Sequence, residues 1–590
     1  MRKGGEFLIE EIKSNEVFTP EEFTDEQKQI AETTENFAIN EVQPHLEELE
    51  HDVPNGKYDL MLKLFKRCAE LGLLMIDVSE EYGGLDLDKA TSMLVAEKMT
   101  LAGSFAVVHL DHIGIGTLPL IYYGTDEQKR KYLDKLMSGE WLGAYALTEP
   151  EAGTDVLGAK STAVLSDDKK YYILNGTKQF ITNAGAANLF TIFAKVDKEK
   201  YTAFLVERDT EGLSFGPEEK KMGMKASSTR QVIMDNVKVP VENLLGEIGK
   251  GHKIAFNILN IGRFKLGAGA TGGMKYGLVE SVKYANERKQ FGRPISSFGA
   301  IKEKIADIYL LAYASESLVY RLAGLLDEKL KSIDKSLPNY YEEYQNGIEE
   351  YAPECSIAKV FCSDAQGEVV DHVVQILGGY GYIADYPAER YYRDERINRI
   401  WEGTNEVNRM LVPGMILRRA LKGELPIMNK VKEAMDQMMS IPEEAYVGEE
   451  FGPEKDLLKN LKNLSLIVSG NAVQKFGENL KDEQEVLYAL GDVIINLFAL
   501  ESTVLRSEKI YNSLSDEKKE FFKALTKITT YRLNDRIFNA AKKIIYYSSS
   551  GDEVHILLSA LRKFTRYNVD NLLSLRRKVA DTVIENERYL

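Results

Sequence analysis

The spacing of apolar residues changes character twice along this chain, and that limits its possible folds more than any other feature. From about Thr24 to Trp141 apolar positions recur about every 3.6 residues, as at Ile30, Phe37, Ile39, Val42 and Leu46, which predicts amphipathic helices. Two-residue alternation then takes over in "KSTAVL", "KKYYILNGTKQFIT", "LFTIFAKV", "YTAFLVE" and "RQVIMDNVKVP". These segments are β-branched and aromatic, with a tight-turn signal at Asn175-Gly176. From Gly251 helical spacing returns, as in "IKEKIADIYLLAYASESLVYRLAGLLDEKL", and it continues to Leu590. A β part set between helical parts, without strand-helix alternation, argues against a parallel doubly wound sheet.

The expected architecture is therefore α+β. An N-terminal extension covers 1–25 and an N-terminal helical domain 26–142. A central β-barrel-like domain covers 143–250, a helical-bundle domain 251–424, and an additional all-α domain 425–590. Pro426 and the breaker-rich "IPEEAYVGEEFGPEKD" are read as a linker into the last part.

Composition narrows the function classes. The 590 residues carry 75 Lys+Arg against 91 Asp+Glu, and a net charge of −16 argues against a general nucleic-acid binder, which needs clustered positive charge on phosphates. Cys68, Cys355 and Cys362 are too few and wrongly spaced for a disulfide framework or a thiolate zinc site. Glu6, Glu10 and Glu11 do not suit a transit peptide, and with no run of about eighteen apolar residues seen, no membrane span is expected. The expected location is cytoplasmic.

Several motifs have bland alternatives. Gly267-x-Gly269-x-x-Gly272 fits the dinucleotide fingerprint, but the preceding "HKIAFNILNIGRFKL" reads as helix and no βαβ unit follows, so close helix packing is preferred. His109 and His112 flank Asp111 without a standard zinc spacing, and no metal site is expected. Cys355 and Cys362 share a helical face and read as core. "YALTEPEAGTD" places hydroxyls and exposed amides where helix gives way to strand, a loop able to hold a heterocycle or a phosphate, or only to connect elements. "QILGGYGY" has three glycines that allow close approach of a backbone or ligand. In "RIWEGTNEVNR", Glu402 stands between Trp401 and Gly403. Partial desolvation there would raise its pKa and make it a better base toward a carbon acid, whereas such a Glu elsewhere is usually a cap or solvated.

Taken together, "ALTEPEAGTD", "NGTKQFITNAG", "ERKQFGRPI", "QILGGYGY" and "WEGTNE" resemble the acyl-CoA dehydrogenase family, in the family's order and over nearly the whole chain. "PEEKKMGMKAS", "ILNIGRF" and "ISSFGAIKEKIA", with the helical region after residue 425, are most similar to its very-long-chain branch.

That resemblance implies FAD and an acyl-CoA substrate. It implies that Tyr145, Leu147, Thr148, Gly153 and Thr154 line the flavin from one loop and Phe180, Ile181 and Thr182 from a strand, with Phe180 standing where the family usually has Trp. Arg288 would reach the pyrophosphate and Phe291 would also meet the cofactor. Gln375, Gly378 and Gly379 would meet its adenine half from a neighbouring subunit, and Thr404 and Glu406 would touch it beyond the base. Glu406 replaces an amide common in some branches. Glu402 would remove the pro-R α-proton while the β-hydrogen leaves as hydride to flavin N5, giving a trans-2-enoyl-CoA. Thr154, Asn260, Arg263, Trp401 and Gly403 would contact substrate, Asn260 and Arg263 having helix packing and a surface ion pair as their alternatives. Gly114 and Gly116 would deepen a pocket for a long acyl chain.

The implied partners are electron-transfer flavoprotein and a second copy of the chain in a homodimer. An acyl-CoA oxidase and an assembly or scaffold protein on the same fold remain the competing readings. Arg562, Lys563, Arg566, Arg576, Arg577 and Lys578, set among apolar residues, suggest peripheral contact with an anionic membrane, with helices packed on the core as the alternative. The insertion "LPNYYEEYQNGIEEYAPE" has no functional account.

Overall fold

The computed structural model describes residues 2–440 and 446–590; the predicted linker's first five residues, 441–445, lie outside the described residues. The chain forms two compact units. One takes Thr24–Gly272 and Lys329–Glu349, the other Met1–Phe23, Gly273–Glu328 and Glu350–Leu590.

In the first unit the helices Asp25–Asn36 and Asp126–Met137 both begin with a capping box, Thr24 with Gln27 and Thr125 with Gln128, which satisfies the free amides of the first turn. The β part consists of β1 (Gly143–Ala146), β2 (Thr162–Leu165), β3 (Tyr171–Thr182), β4 (Leu189–Val196), β5 (Lys200–Glu207), β6 (Leu213–Phe215), β7 (Thr229–Pro240) and β8 (Leu244–Leu245). The sheet order is β6-β7-β3-β2-β4-β5-β8, and β1 also pairs with β4. Both β1 and β2 run parallel to β4, β1 against Leu189–Ile192 and β2 against Lys195 and Val196. The segment 147–161 therefore leaves the sheet and returns to the same strand as a loop. One apolar core, including Phe37, Phe65, Phe105, Phe190, Ile192 and Phe204, joins helices and sheet.

The glycine-rich run lies inside the continuous helix Gly251–Glu287. A Cβ at Gly272 would overlap the carbonyl oxygen of Glu97, so this glycine lets two helix backbones touch and is not part of a phosphate loop. Gly114 sits at a kink (φ −97°, ψ −111°), where a Cβ would meet only the stem of Lys265 at ordinary contact distance, and Gly116 lies against the backbone of Asp111 and Gly143, where its missing side chain allows a close approach. The insertion contains the helix Tyr340–Glu350, and its residues up to Glu349 belong to this unit. Lys129 sits 3.6 Å from the centre of the Tyr341 ring, Tyr123 donates to Gln345 at 3.0 Å, and Lys335 pairs with Asp86 at 2.5 Å.

The second unit has a helical core in which Met274, Tyr309, Tyr313, Val369, Phe521, Leu525 and Val579 are buried together. Residues of the N-terminal extension pack here. Phe7 meets Phe498 edge-on at 4.8 Å, Lys462 donates to the Glu10 carbonyl at 2.6 Å, and Lys509 donates to the Val17 carbonyl at 2.6 Å. A largely buried ion network ties the added helical region in. The buried Arg506 bonds the buried Glu316 (2.6 Å) and the exposed Glu21 (2.7 Å), and Tyr589 donates to Glu316 at 2.6 Å.

Half of the C-terminal basic cluster is committed internally. Arg576 pairs with Asp307 and Glu303, Lys578 with Glu520, and Lys563 donates to the carbonyls of Gln437, Met438 and Ser440. Contrary to the expectation of no such stretch, the helical segments Lys89–Tyr123 and Gln484–Tyr511 are long and apolar enough to cross a membrane. Their apolar windows are 78% and 89% buried, which makes them core elements of the fold.

His109 and His112 are fully buried in the first unit. Nε2 of His109 bonds the Leu73 carbonyl (2.9 Å) and Nε2 of His112 the Leu136 carbonyl (3.2 Å), while Nδ1 of His112 accepts from the Gly143 amide at 3.0 Å. Burial lowers their pKa values to about 4 and about 3. Both are neutral in the folded protein, whereas the unfolded chain protonates near pH 6.5. Stability is thus retained above that pH and lost as acid protonates the unfolded state, on the order of 2 kcal/mol per histidine at pH 5. We expect the urea midpoint to fall between pH 7 and 5, and to fall less in His109→Gln. An equal fall in the variant would show that His109 does not carry the effect.

Candidate active site

The loop 147–161 is anchored by a buried ion pair. Lys178, on β3, donates to the Leu147 carbonyl (3.2 Å) and to Glu149 (2.7 Å), and both side chains are nearly inaccessible. Glu149 also accepts from the amides of Lys160 (2.5 Å) and Ser161 (3.1 Å), so one carboxylate fastens both ends of the loop. Burial pushes the Glu149 carboxyl up, but Lys178 and these donors more than offset it and leave it below its ordinary value. Burial draws Lys178 down to about 8, with Glu149 only partly restoring it.

The Gln179 amide donates to the Thr148 carbonyl at 2.8 Å, which brings Leu147 and Thr148 beside Phe180, Ile181 and Thr182. Between Lys178 and Ile181 the β3–β7 register shifts, and Phe180 takes a left-handed φ of +58°. A bulge re-aims side chains. Here it leaves Phe180 61% exposed while Ile181 is buried. Gly153 and Thr154 are exposed, and nothing stands over the open side of Gly153. Tyr145 is buried, its ring edge-on to Phe193 at 5.2 Å. Asn260 and Arg263 are buried one turn apart and joined at 3.2 Å, so the surface ion pair is ruled out.

The second unit holds the other candidates. The helix Ala352–Leu377 stops at Gly378, whose φ of +62° and ψ of −133° suit only glycine, and the backbone of Gly378 and Gly379 is open. Arg288 stacks on Tyr380 at 5.5 Å, which places the guanidinium beside that glycine turn. Gln375 is exposed on the last turn of the helix. Phe291 is 92% exposed at the tip of a two-stranded hairpin.

Glu402 and Gly403 have φ of +57° and +80°, two consecutive left-handed residues. For Glu402 this costs about 1–2 kcal/mol of local strain, so the surroundings must impose it. Nδ2 of Asn408 lies 3.3, 2.8 and 3.1 Å from the carbonyls of Glu402, Gly403 and Thr404. The buried Lys359 donates to the Gly403 carbonyl (2.8 Å) and to Oδ1 of Asn405 (2.5 Å). Thr404 caps the helix Asn405–Leu421 and Glu406 is exposed on its first turn. Trp401 is half-buried, and its indole N–H is buried without a hydrogen-bond partner.

Sequence reasoning missed Lys178, Glu149, Lys359, Asn405 and Asn408. Lys359 left one signal, a charge inside the otherwise apolar "SIAKVFC".

The family comparison agrees along the chain. Acyl-CoA dehydrogenase N-terminal, middle and C-terminal domains match residues 24–140, 144–237 and 249–417, and a further acyl-CoA dehydrogenase C-terminal domain matches 460–563. The chain belongs to the acyl-CoA dehydrogenase family. It is 46% identical over 590 residues, 100% of this chain and 98% of the relative, to a probable acyl-CoA dehydrogenase of Bacillus subtilis (strain 168). It is 41% identical over 377 residues to the mitochondrial very long-chain specific acyl-CoA dehydrogenase of Rattus norvegicus, across 62% of this chain and 53% of that one. The crystal structure of an acyl-CoA dehydrogenase complexed with FAD from Bacillus anthracis matches with a TM-score of 0.96 and 47% identity, each chain being covered 100%. The expected fold, three dehydrogenase parts with an added helical region, is borne out.

In this family member the Glu149→Gln substitution would leave Lys178 buried without its counter-charge. We expect a loss of roughly 3–5 kcal/mol in urea unfolding. A loss below about 1 kcal/mol would mean that the pair does not hold the loop.

Proposed function

We propose that this protein catalyses FAD-dependent α,β-dehydrogenation of fatty acyl-CoA to trans-2-enoyl-CoA, with long acyl chains preferred and electron-transfer flavoprotein as acceptor. The carrying observation is the end-to-end match to an acyl-CoA dehydrogenase crystallised with FAD. The residues present suit that cofactor. Phe180 offers an exposed aromatic face, Arg288 a guanidinium for paired phosphate oxygens, and Gly378 and Gly379 an open backbone for close approach. Leu147, Thr148, Gly153, Thr154, Ile181, Thr182, Phe291, Gln375, Thr404 and Glu406 complete the proposed cofactor set. Tyr145, buried against Phe193, belongs to that set as well. When bound, FAD supplies the acceptor for the β-hydrogen.

The chain's own residues do the rest. Glu402 takes the α-proton on a carboxylate oxygen, and its backbone N–H donates to the thioester carbonyl, where negative charge develops as the C–H bond breaks. Trp401 borders the reacting carbons and excludes water, while Asn260 and Arg263 hold the acyl-CoA. The preference for long chains rests on similarity to the very long-chain enzyme. A homodimer in the cytoplasm completes the proposal. The exposed Arg562, Arg566 and Arg577 are the remaining candidates for peripheral membrane contact.

Anaerobic titration of the purified holoprotein with C8 to C18 acyl-CoA should bleach the flavin, most efficiently with the longer chains. Glu402→Gln should retain FAD and lose at least about 10³-fold in rate. No bleaching with any acyl-CoA would sink the reaction, and efficiency falling steadily from C8 to C18 would sink the chain-length preference. Rapid peroxide formation in air, without turnover on electron-transfer flavoprotein, would make the protein an oxidase.

A further inference from the structure

The left-handed turn at Glu402 and Gly403 is unusual because only its second residue is a glycine, yet both take positive φ. A turn of this kind could relax by rotating the peptide between them, which would swing the Glu402 carboxylate away from its present direction. The carbonyls are what prevent this. Asn408 gathers three consecutive carbonyls on one amide nitrogen, and the Lys359 ammonium takes the middle one, Gly403, from the helix Ala352–Leu377. Lys359 is itself fixed. Asn405 accepts from it and donates to Ser363 (2.9 Å) and Asp364 (2.8 Å), and Arg409 pairs with Asp364 and Asp492. The side chains of Lys359 and Asn408 are both buried, so their bonds face little competition from water.

We propose that Lys359 and Asn408 are positioning residues for the proposed base: by holding the carbonyls of residues 402–404 they lock the left-handed turn and so aim the Glu402 carboxylate at the substrate α-carbon. The proposal rests on the dehydrogenase reading. It assigns neither residue any contact with substrate or cofactor. Their effect is confined to the geometry of proton abstraction, which is steep in distance and direction.

The test separates proton abstraction from hydride transfer. A 3-thia-acyl-CoA has sulfur in place of the β-carbon and so cannot be dehydrogenated, but its α-protons remain acidic. Their exchange for deuterium in D₂O, followed by proton NMR on the holoprotein, reads Glu402 alone. Lys359→Met keeps the aliphatic stem and should slow exchange more than tenfold, with FAD content and analogue affinity within twofold of the unmodified protein. Lys359→Arg, which keeps a donor cation, should recover most of the rate. With α-dideuterated substrate, the Lys359→Met isotope effect on kcat should exceed that of the unmodified protein. If Lys359→Met does not accumulate as folded protein, the isosteric Asn408→Asp, which replaces the amide donors with oxygen lone pairs, should give the same pattern. Exchange within twofold of the unmodified protein in either folded variant overturns the positioning role. Loss of FAD in parallel with exchange, without rescue by arginine, makes Lys359 a stability residue only and also overturns it. Absence of exchange and of flavin bleaching in the unmodified protein would overturn the dehydrogenase reading, and the positioning role with it.

Discussion

A carbonyl turned toward the interior of a protein must find a donor, and two of the loops that carry candidate site residues meet that demand with a buried lysine. Lys178 donates to the Leu147 carbonyl in one loop and Lys359 to the Gly403 carbonyl in the other. A buried ammonium is expensive to desolvate, so each finds a further acceptor, the Glu149 carboxylate in the first case and the Asn405 amide oxygen in the second. The exposed or strained residues above them, Phe180 and Glu402, keep conformations they would not adopt on their own.

Much of this was legible in the sequence. The switch from 3.6-residue to two-residue spacing located the strands, because a pleated surface alternates faces whatever its neighbours do. The motif order identified the family. The glycines were harder, since the same residue marks a ligand approach, a kink or a helix contact. Gly378 has open space before it, Gly272 meets Glu97, and Gly114 faces the Lys265 stem. Only coordinates distinguish these cases. The supports of Glu402 stayed hidden for another reason, since Lys359 lies 43 positions upstream of it and a single sequence carries no sign of such pairing.

The added helical region is held by polar as well as apolar contacts. Arg321 with Glu501 and Arg506 with Glu316 are buried ion pairs whose partners lie far apart in sequence, and the exposed Glu21 joins Arg506 from the surface. Ion pairs of this kind contribute little net stability compared with apolar packing, but their directional bonds penalise a helix that slips by one turn. They set register where Leu, Ile and Val surfaces alone would tolerate several.

The fastening of Phe7 to Phe498 has a consequence for biosynthesis. The amino-terminal strap leaves the ribosome well before its partner Phe498 is made, roughly 25–100 s earlier at typical elongation rates. During that interval the unit formed by Thr24–Gly272 and Lys329–Glu349 can close its own core, while the strap waits with its apolar side chains uncovered. The nascent chain must therefore keep an apolar segment idle until the helix Gln484–Tyr511, which carries Phe498, has emerged.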